Sequence, residues 1–449
     1  MAESRFRYGV VLRAAMVAGL GGFLLGFDTV VISGTNETLE KVFELTKFWL
    51  GFTVAAAPIG TILGSILIGK PSDTFGRKKI LFILALGYLA SSLGCGLAEA
   101  WWQLVCARFL GGLAIGGASV VTPMYIAEIS PPRLRGRLVM INQLNIVIGV
   151  LLSFISNYAI AQCFAFDVAW RWMLGLLAVP SAAFFALLFS VPESPRSLVR
   201  RGRSADAKKV LELLGEEDVD NELAAIQTSL ADRPGHVQER LLRKPYWRPV
   251  GLACTLAALS QVTGINAVLY YAPNIFRQAG AMRNSSLLQS IAVGVTLLLF
   301  TIVAMFIIDR FGRRVLILIG SVGMAVCLFT LAGAFSDGPN VNGGLVLGAL
   351  MGFIAFFAMS QGAVMFVFIS EVFPNAVRAK GQALGTFVHW VAATTVTWSF
   401  PVVAEYHVGG AFGFFGAMMV LQFFFAWYIM PETKGGALED IGKRTATVN

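Results

Sequence analysis

Charged residues are scarce in this chain. Of its 449 residues only 14 % are Asp, Glu, Lys or Arg, against roughly a quarter in an ordinary soluble domain. With 56 % hydrophobic residues, a soluble fold is excluded, because no single core hides that much apolar surface. Cysteine is sparse as well. Cys95, Cys106, Cys254 and Cys327 fall inside apolar blocks and Cys163 in a short loop. No paired spacing joins them, which excludes a disulfide framework and a thiolate metal site and leaves all five as packing residues. The net charge of +9 raises nucleic-acid binding, but the basic residues are not interleaved with exposed aromatics, which argues against it. A nucleophile arrangement, a metal-ligand cluster and a nucleotide loop are also missing. An enzyme is therefore rejected, and no cofactor or metal is expected.

What the chain has in quantity is apolar blocks near the ~20 residues that cross a hydrocarbon core. Arg5, Arg7 and Arg13 ahead of the first block resemble a signal peptide. That block is too long, contains Asp28 and has no convincing cleavage site, so it is read as the first membrane helix. Twelve spans follow from the blocks, at about 9–33, 49–70, 79–99, 101–125, 136–160, 170–191, 248–273, 286–309, 315–336, 342–371, 379–404 and 409–430. Alternate loops separate by charge. One set holds Lys70, Arg77, Lys78 and Lys79, then Arg133, Arg135 and Arg137, then Arg310, Arg313 and Arg314, then Arg378 and Lys380. The positive-inside rule places these loops and both termini in the cytoplasm. Residues 192–247 are strongly charged, and SADAKKVLELLGEED has the leucine spacing of an amphipathic helix.

The chain also repeats itself. FGRKK at Gly76 returns as FGRR at Gly312, Glu128 with Arg135 returns as Glu371 with Arg378, and PES at Pro192 returns as PET at Pro431, with separations of 236, 243 and 239 residues. Three motifs in order at nearly one offset predict two related six-helix halves, an arrangement that rocks around a midplane site in alternating-access carriers. The expected fold is an all-α membrane protein of twelve transmembrane helices. Its parts are an N-terminal half at 1–191, a cytoplasmic helical linker at 192–247, a C-terminal half at 248–432 and a cytoplasmic tail at 433–449.

Several motifs carry a family likeness: GFDTVVISG at 26–34, SDTFGRKK at 72–79, PMYIAEISPPRLRG at 123–136, PESPRSL at 192–198, QVTGINAVLYYAP at 261–273, DRFGRR at 309–314 and PETKG at 431–435. Over nearly its whole length the chain resembles the sugar porter family of the major facilitator superfamily. The resemblance implies a small-molecule sugar as cargo, a proton as co-substrate, a lipid bilayer around the chain, no nucleic-acid partner and a monomer. A bacterial inner membrane is the expected location.

The first candidate site is Asp28. An ionised carboxylate inside an apolar helix costs several kcal/mol unless it is paired or protonated, so an intramembrane acid is a functional candidate by default. The resemblance to proton-coupled members supplies its partner, Arg108 on the fourth helix. By the same resemblance, Arg77, Glu128 and Arg135, with their counterparts Arg313, Glu371 and Arg378, form a salt-bridge switch that closes the cytoplasmic side and favours the outward-facing state. Carboxylate and guanidinium groups suit such a role because they can form bidentate pairs between helices.

A sugar presents hydroxyls that donate and accept, and C–H faces that an indole can cover. By match to the family, Gln143, Gln261, Asn266 and Trp390 supply this chemistry, and Tyr270 and Tyr271 form the outer gate. The chain departs from the glucose and xylose pattern at Ser260, Leu297, Phe366 and Leu25, each change removing polar reach or ring area. His389 stands where an amide is usual and resembles the fructose-type facilitators. The reading is a proton-coupled monosaccharide symporter, a hexose carrier with fructose ahead of glucose or xylose. A sugar or polyol uniporter stays open, and behind it a sugar sensor.

Overall fold

The structure, a computed structural model, describes residues 8–131, 134–216, 218–231, 241, 243–336, 341–374 and 377–434. Among the described residues all regular structure is helical, and eleven helices are long and apolar enough to cross a membrane. The last of these, Arg378–Tyr428, has 51 residues, about 76 Å of helix and more than twice the ~30 Å hydrocarbon core. It bends at His407, where the backbone turns extended (φ −161°, ψ 88°). The amide of Gly410 donates to His407 Nδ1 at 3.1 Å, so the imidazole caps the helix that restarts there. Two crossings result, and the total is twelve. The bend falls in the gap the sequence places between 404 and 409.

Other spans are broken within themselves. The seventh runs as Trp247–Gln261 and Ile265–Gln278, with Gly264 between them at φ 84°. A side chain is strained at that φ, and a Cβ there would also overlap the ring of Phe415. Tyr271 carries a second non-helical step (φ −125°, ψ 16°), and Pro273 follows it. The tenth span parts at Ser360 into Gly343–Met359 and Gln361–Val372. The sixth parts into Phe166–Gly175 and Ala178–Leu187.

Contacts group the chain into two compact units. The first contains Met1–Thr29, Ile59–Ser153 and Arg171–Val237. Within it the first and fifth helices touch backbone to backbone, since a Cβ on Gly26 would overlap the carbonyl oxygen of Ile146. The linker is helical, as its leucine spacing predicts: Pro195–Arg200, Ser204–Leu214 and Val219–Ala231. Ala207, Leu211 and Leu214 bury one face. On the solvent side Lys208 pairs with Asp220 at 2.6 Å, a hydrogen bond that holds its ammonium above the ordinary lysine value.

The second unit contains Val30–Pro58, Phe154–Trp170 and Gln238–Asn449. Polar bonds tie its segments together. Asn157 Nδ2 donates to Val31 O at 3.1 Å, and Asn36 Nδ2 donates to Tyr270 O at 2.8 Å. A buried apolar cluster runs from Leu252 and Leu256 through Phe368 and Phe373 to Phe425 and Met430.

Candidate functional site

Three sets of polar residues stand out against the apolar body. The first is an ion pair in the first unit. Arg108 Nη1 donates to Asp28 Oδ1 at 2.9 Å, and the two residues are 1 % and 4 % exposed. The pair is only partly satisfied. Asp28 Oδ2, Arg108 Nε and Arg108 Nη2 are buried without a hydrogen-bond partner among the described residues, and so is the hydroxyl of Tyr88. Leaving charged groups half-bonded in a dry interior is costly. Tyr88 was not picked out by sequence, since a tyrosine in an apolar helix carries no signal.

The second set lies in the second unit, where the broken seventh span meets the eleventh. Asn266 Nδ2 donates to Gln261 Oε1 at 2.6 Å, which orients the Gln261 amide. Its Nε2 then faces His389 Nδ1 at 3.1 Å and Ser260 Oγ at 3.2 Å. Ser260 Oγ donates to Ala257 O at 2.7 Å and so accepts from Gln261. With Gln261 Nε2 donating to Nδ1, the tautomer this network selects carries its proton on Nε2. Around the imidazole stand Phe366, with ring centroids 5.3 Å apart, and Trp390, edge-on at 5.4 Å.

The structure thus brings Gln261, Asn266, Ser260, His389, Phe366 and Trp390 into one cluster. Leu297, one of the departures, is buried. Tyr270 and Tyr271 are buried next along the same helix, and the Tyr271 hydroxyl donates to Thr397 O at 3.1 Å. Gln143 belongs to the first unit, on the helix Arg135–Cys163, where it is exposed.

The third set is a charged cluster that occurs twice. In the first unit Arg77 is bidentate on Glu128, Nε to Oε2 at 3.0 Å and Nη2 to Oε1 at 3.1 Å. Its Nη1 reaches Asp73 and the Ser72 carbonyl, both at 2.8 Å. Ser194 Oγ donates to the same Glu128. In the second unit Arg313 is bidentate on Glu371 at 3.1 and 2.9 Å, its Nη1 reaches Asp309 at 3.1 Å, and Thr433 Oγ1 donates to Glu371. Each arginine begins a helix directly after a glycine with positive φ, Gly76 at 94° and Gly312 at 88°.

The glutamates of PES and PET complete this corner. Glu193 accepts from the Lys78 amide at 3.0 Å, and Glu432 accepts from the Arg313 and Arg314 amides at 2.9 and 3.0 Å. Unpaired amides and the positive end of the helix dipole favour a carboxylate there. The carboxylate partner in each cluster is thus the arginine of the FGR motif. Arg378 Nε instead donates to the Phe373 carbonyl at 3.2 Å, and the side chain of Arg135 lies outside the described residues. Sequence reasoning missed Asp73, Asp309, Glu193, Glu432, Ser194 and Thr433 as members. The signal was in the motifs it quoted, an acid four residues before each arginine and a hydroxyl after each PE.

Residues 14–444 match the family model described as Sugar (and other) transporter. The chain belongs to this sugar transporter family. It is 37 % identical over 478 residues to the D-xylose-proton symporter of Escherichia coli (strain K12), covering 98 % of this chain and 96 % of that protein. With the glucose transport protein of Synechocystis it shares 35 % identity over 452 residues, covering 96 % and 97 %. With the probable polyol transporter 4 of Arabidopsis thaliana it shares 34 % over 452 residues, covering 96 % and 84 %. Among solved structures, the xylose transporter of E. coli in a partially occluded inward-open conformation superposes with a TM-score of 0.85 at 35 % identity, covering 96 % of this chain and all of that one. The same fold accounts for the twelve crossings and the absence of strands among the described residues. As a sugar transporter family member, this protein is an integral membrane transporter and not an enzyme.

Proposed function

We propose that this protein is a proton-coupled monosaccharide symporter of a bacterial inner membrane, with both termini cytoplasmic. It works as a monomer by alternating access between two six-helix halves, 1–191 and 248–432, joined by the linker 192–247. The observation that carries this reading is the buried, half-satisfied Asp28–Arg108 pair. A carboxylate whose second oxygen has no partner can take a proton without giving up its existing bond. Movement of the first helix against the fourth then exchanges arginine for proton as counter-ion. The symporter relatives support this assignment.

Gln261, Asn266, His389 and Trp390 hold the sugar in this account, with Gln143 contributing from the fifth helix. Amide and imidazole edges meet hydroxyls, and the indole covers a C–H face. Tyr270 and Tyr271 act as the outer gate, placed on the kinked second half of the seventh span. The two Arg–Glu clusters, with Arg135 and Arg378, act as the cytoplasmic switch. The cargo is a hexose, fructose ahead of glucose or xylose, because Ser260, Phe366 and Leu297 shorten the polar reach and His389 presents an Nε2–H donor. A polyol is the second reading, favoured by the 34 % identity with the polyol transporter.

The test is a competition panel of hexoses, pentoses and polyols in proteoliposomes, with and without an inward proton gradient. Fructose competing best, with gradient-driven accumulation, is the expected result. Xylose or a polyol competing best would remove the hexose assignment, and uptake indifferent to the gradient would remove symport.

A further inference from the structure

At the charged end of the third helix, Arg77–Leu97, the first unit has an open cleft of about 480 Å³ that neither the sugar nor the proton uses. Its walls carry five cationic side chains, Lys78, Lys79, Arg201, Arg203 and Lys209, against two carboxylates, Glu193 and Asp206. Both carboxylates are occupied. Glu193 accepts from the backbone amides of Lys78 and Ser194, and Asp206 is taken by Arg203 at 2.8 and 2.7 Å. The ammonium groups of Lys79 and Lys209 have no hydrogen bond or ion pair among the described residues, while that of Lys78 is attracted by Glu193. Arg201 donates Nη1 to Phe75 O at 2.6 Å and keeps a buried Nε without an acceptor. Two of the five cations are thus paired inside the cleft, Arg203 with Asp206 and Arg201 Nη2 with Glu193 at 3.9 Å, and the three lysines leave an excess of positive charge.

Its floor is apolar. Phe82 lines the cleft and also belongs to a ring cluster with Phe185 at 5.2 Å and Phe189 at 4.7 Å. Phe189 is 68 % exposed, in the short turn Leu188–Ser190 that ends the sixth span. Lysines and the Phe82 ring lining one cleft, at the end of a span that the loop charges assign to the cytoplasm, match the layering of a phospholipid, phosphate above and acyl chain below. Basic pockets at such a level take anionic headgroups, each nearby Lys or Arg adding to the attraction.

We propose that this cleft binds the phosphate headgroup of an anionic glycerophospholipid from the cytoplasmic leaflet. Lys78, Lys79 and Lys209 hold the phosphate, and Phe82 and Phe189 lie along the first part of the acyl chain. The site joins the start of the third helix to the linker helix Ser204–Leu214. A bound lipid would brace the linker against the membrane.

Native mass spectrometry of the purified full chain, titrated with dioleoyl phosphatidylglycerol or phosphatidylcholine, tests this. The wild type is expected to bind phosphatidylglycerol about tenfold more tightly than phosphatidylcholine. The double variant Lys79→Gln/Lys209→Gln, which removes two exposed and unpaired charges and so spares the fold, should lose most of that preference. A charge-matched control, Lys208→Gln/Lys244→Gln, lies outside the cleft and should keep it. Equal binding by wild type and the cleft variant would overturn the site. An equal loss in the control would assign the effect to overall charge and overturn it as well. Displacement of the lipid by millimolar inorganic phosphate would make the cleft a site for the free ion, against the lipid assignment.

Discussion

Arg108 holds only one oxygen of Asp28. The bond from Nη1 to Oδ1 is 2.9 Å long, while Oδ2 faces no donor among the described residues. Replacing Asp28 by Asn keeps the shape and removes the ionisable group. Asp28→Asn is predicted to abolish uphill accumulation while retaining exchange of labelled for unlabelled sugar. Counterflow and gradient-driven uptake, measured on the same vesicles, separate the two outcomes. Retained accumulation contradicts the role.

Glu193 and Glu432 cap the helices that follow Gly76 and Gly312. Loss of a capping carboxylate costs about 1 kcal/mol. Glu193→Ala and Glu432→Ala are each expected to lower stability by about that much in thermal melts in detergent. Glu432→Ala should cost the more, since Glu432 serves two helical amides and Glu193 one. Unchanged melting in both variants would show that the caps are incidental.

Bidentate pairs from Arg77 to Glu128 and from Arg313 to Glu371 each hold an arginine at a helix start against a helix end. If these clusters close the cytoplasmic side, Glu128→Gln and Glu371→Gln shift the population toward inward-facing. Spin-label distances across the cytoplasmic ends would record the shift. A shift corresponding to about 1–3 kcal/mol per cluster matches the strength of charge-assisted pairs. No shift in either variant would leave them as topology charges.

His389 is oriented by Gln261, which is itself oriented by Asn266. His389→Gln replaces a single ring donor with an amide that both donates and accepts, and is expected to reorder the sugar ranking in favour of glucose or xylose over fructose. Gln261→Ala removes the relay and should raise the apparent KM for all sugars by tenfold or more, since a buried hydrogen bond to a polar partner is worth about 1.5 kcal/mol. An unchanged ranking for His389→Gln would remove it from the specificity argument.

Much of this is legible in the sequence. Twelve apolar blocks became twelve crossings because hydrophobic length is a local property that a single strand of sequence carries. The gap between 404 and 409 located the bend at His407. Asp28 with Arg108 was legible through family resemblance, not spacing, since 80 residues separate them. The role of PES and PET was not. Glu193 and the Lys78 amide it accepts from are 115 residues apart, and nothing local to PES signals a helix start elsewhere. The same limit hid the choice of partner. Glu128 stands seven residues before Arg135, which suggests a pair, yet its bidentate partner comes from the preceding FGR motif. Even the repeat, read from offsets of motifs, acquired its cause only when Arg77, Glu128 and Ser194 proved to contact one another as Arg313, Glu371 and Thr433 do.

Proton movement itself is the most direct test of symport. Purified protein in lightly buffered vesicles, with no imposed gradient, receives a pulse of the preferred sugar while a pH electrode reads the outer solution. Coupled entry predicts a rise in external pH that saturates with sugar, is abolished by a proton ionophore and is absent in Asp28→Asn. Sugar uptake by the wild type with no change in external pH would contradict the account.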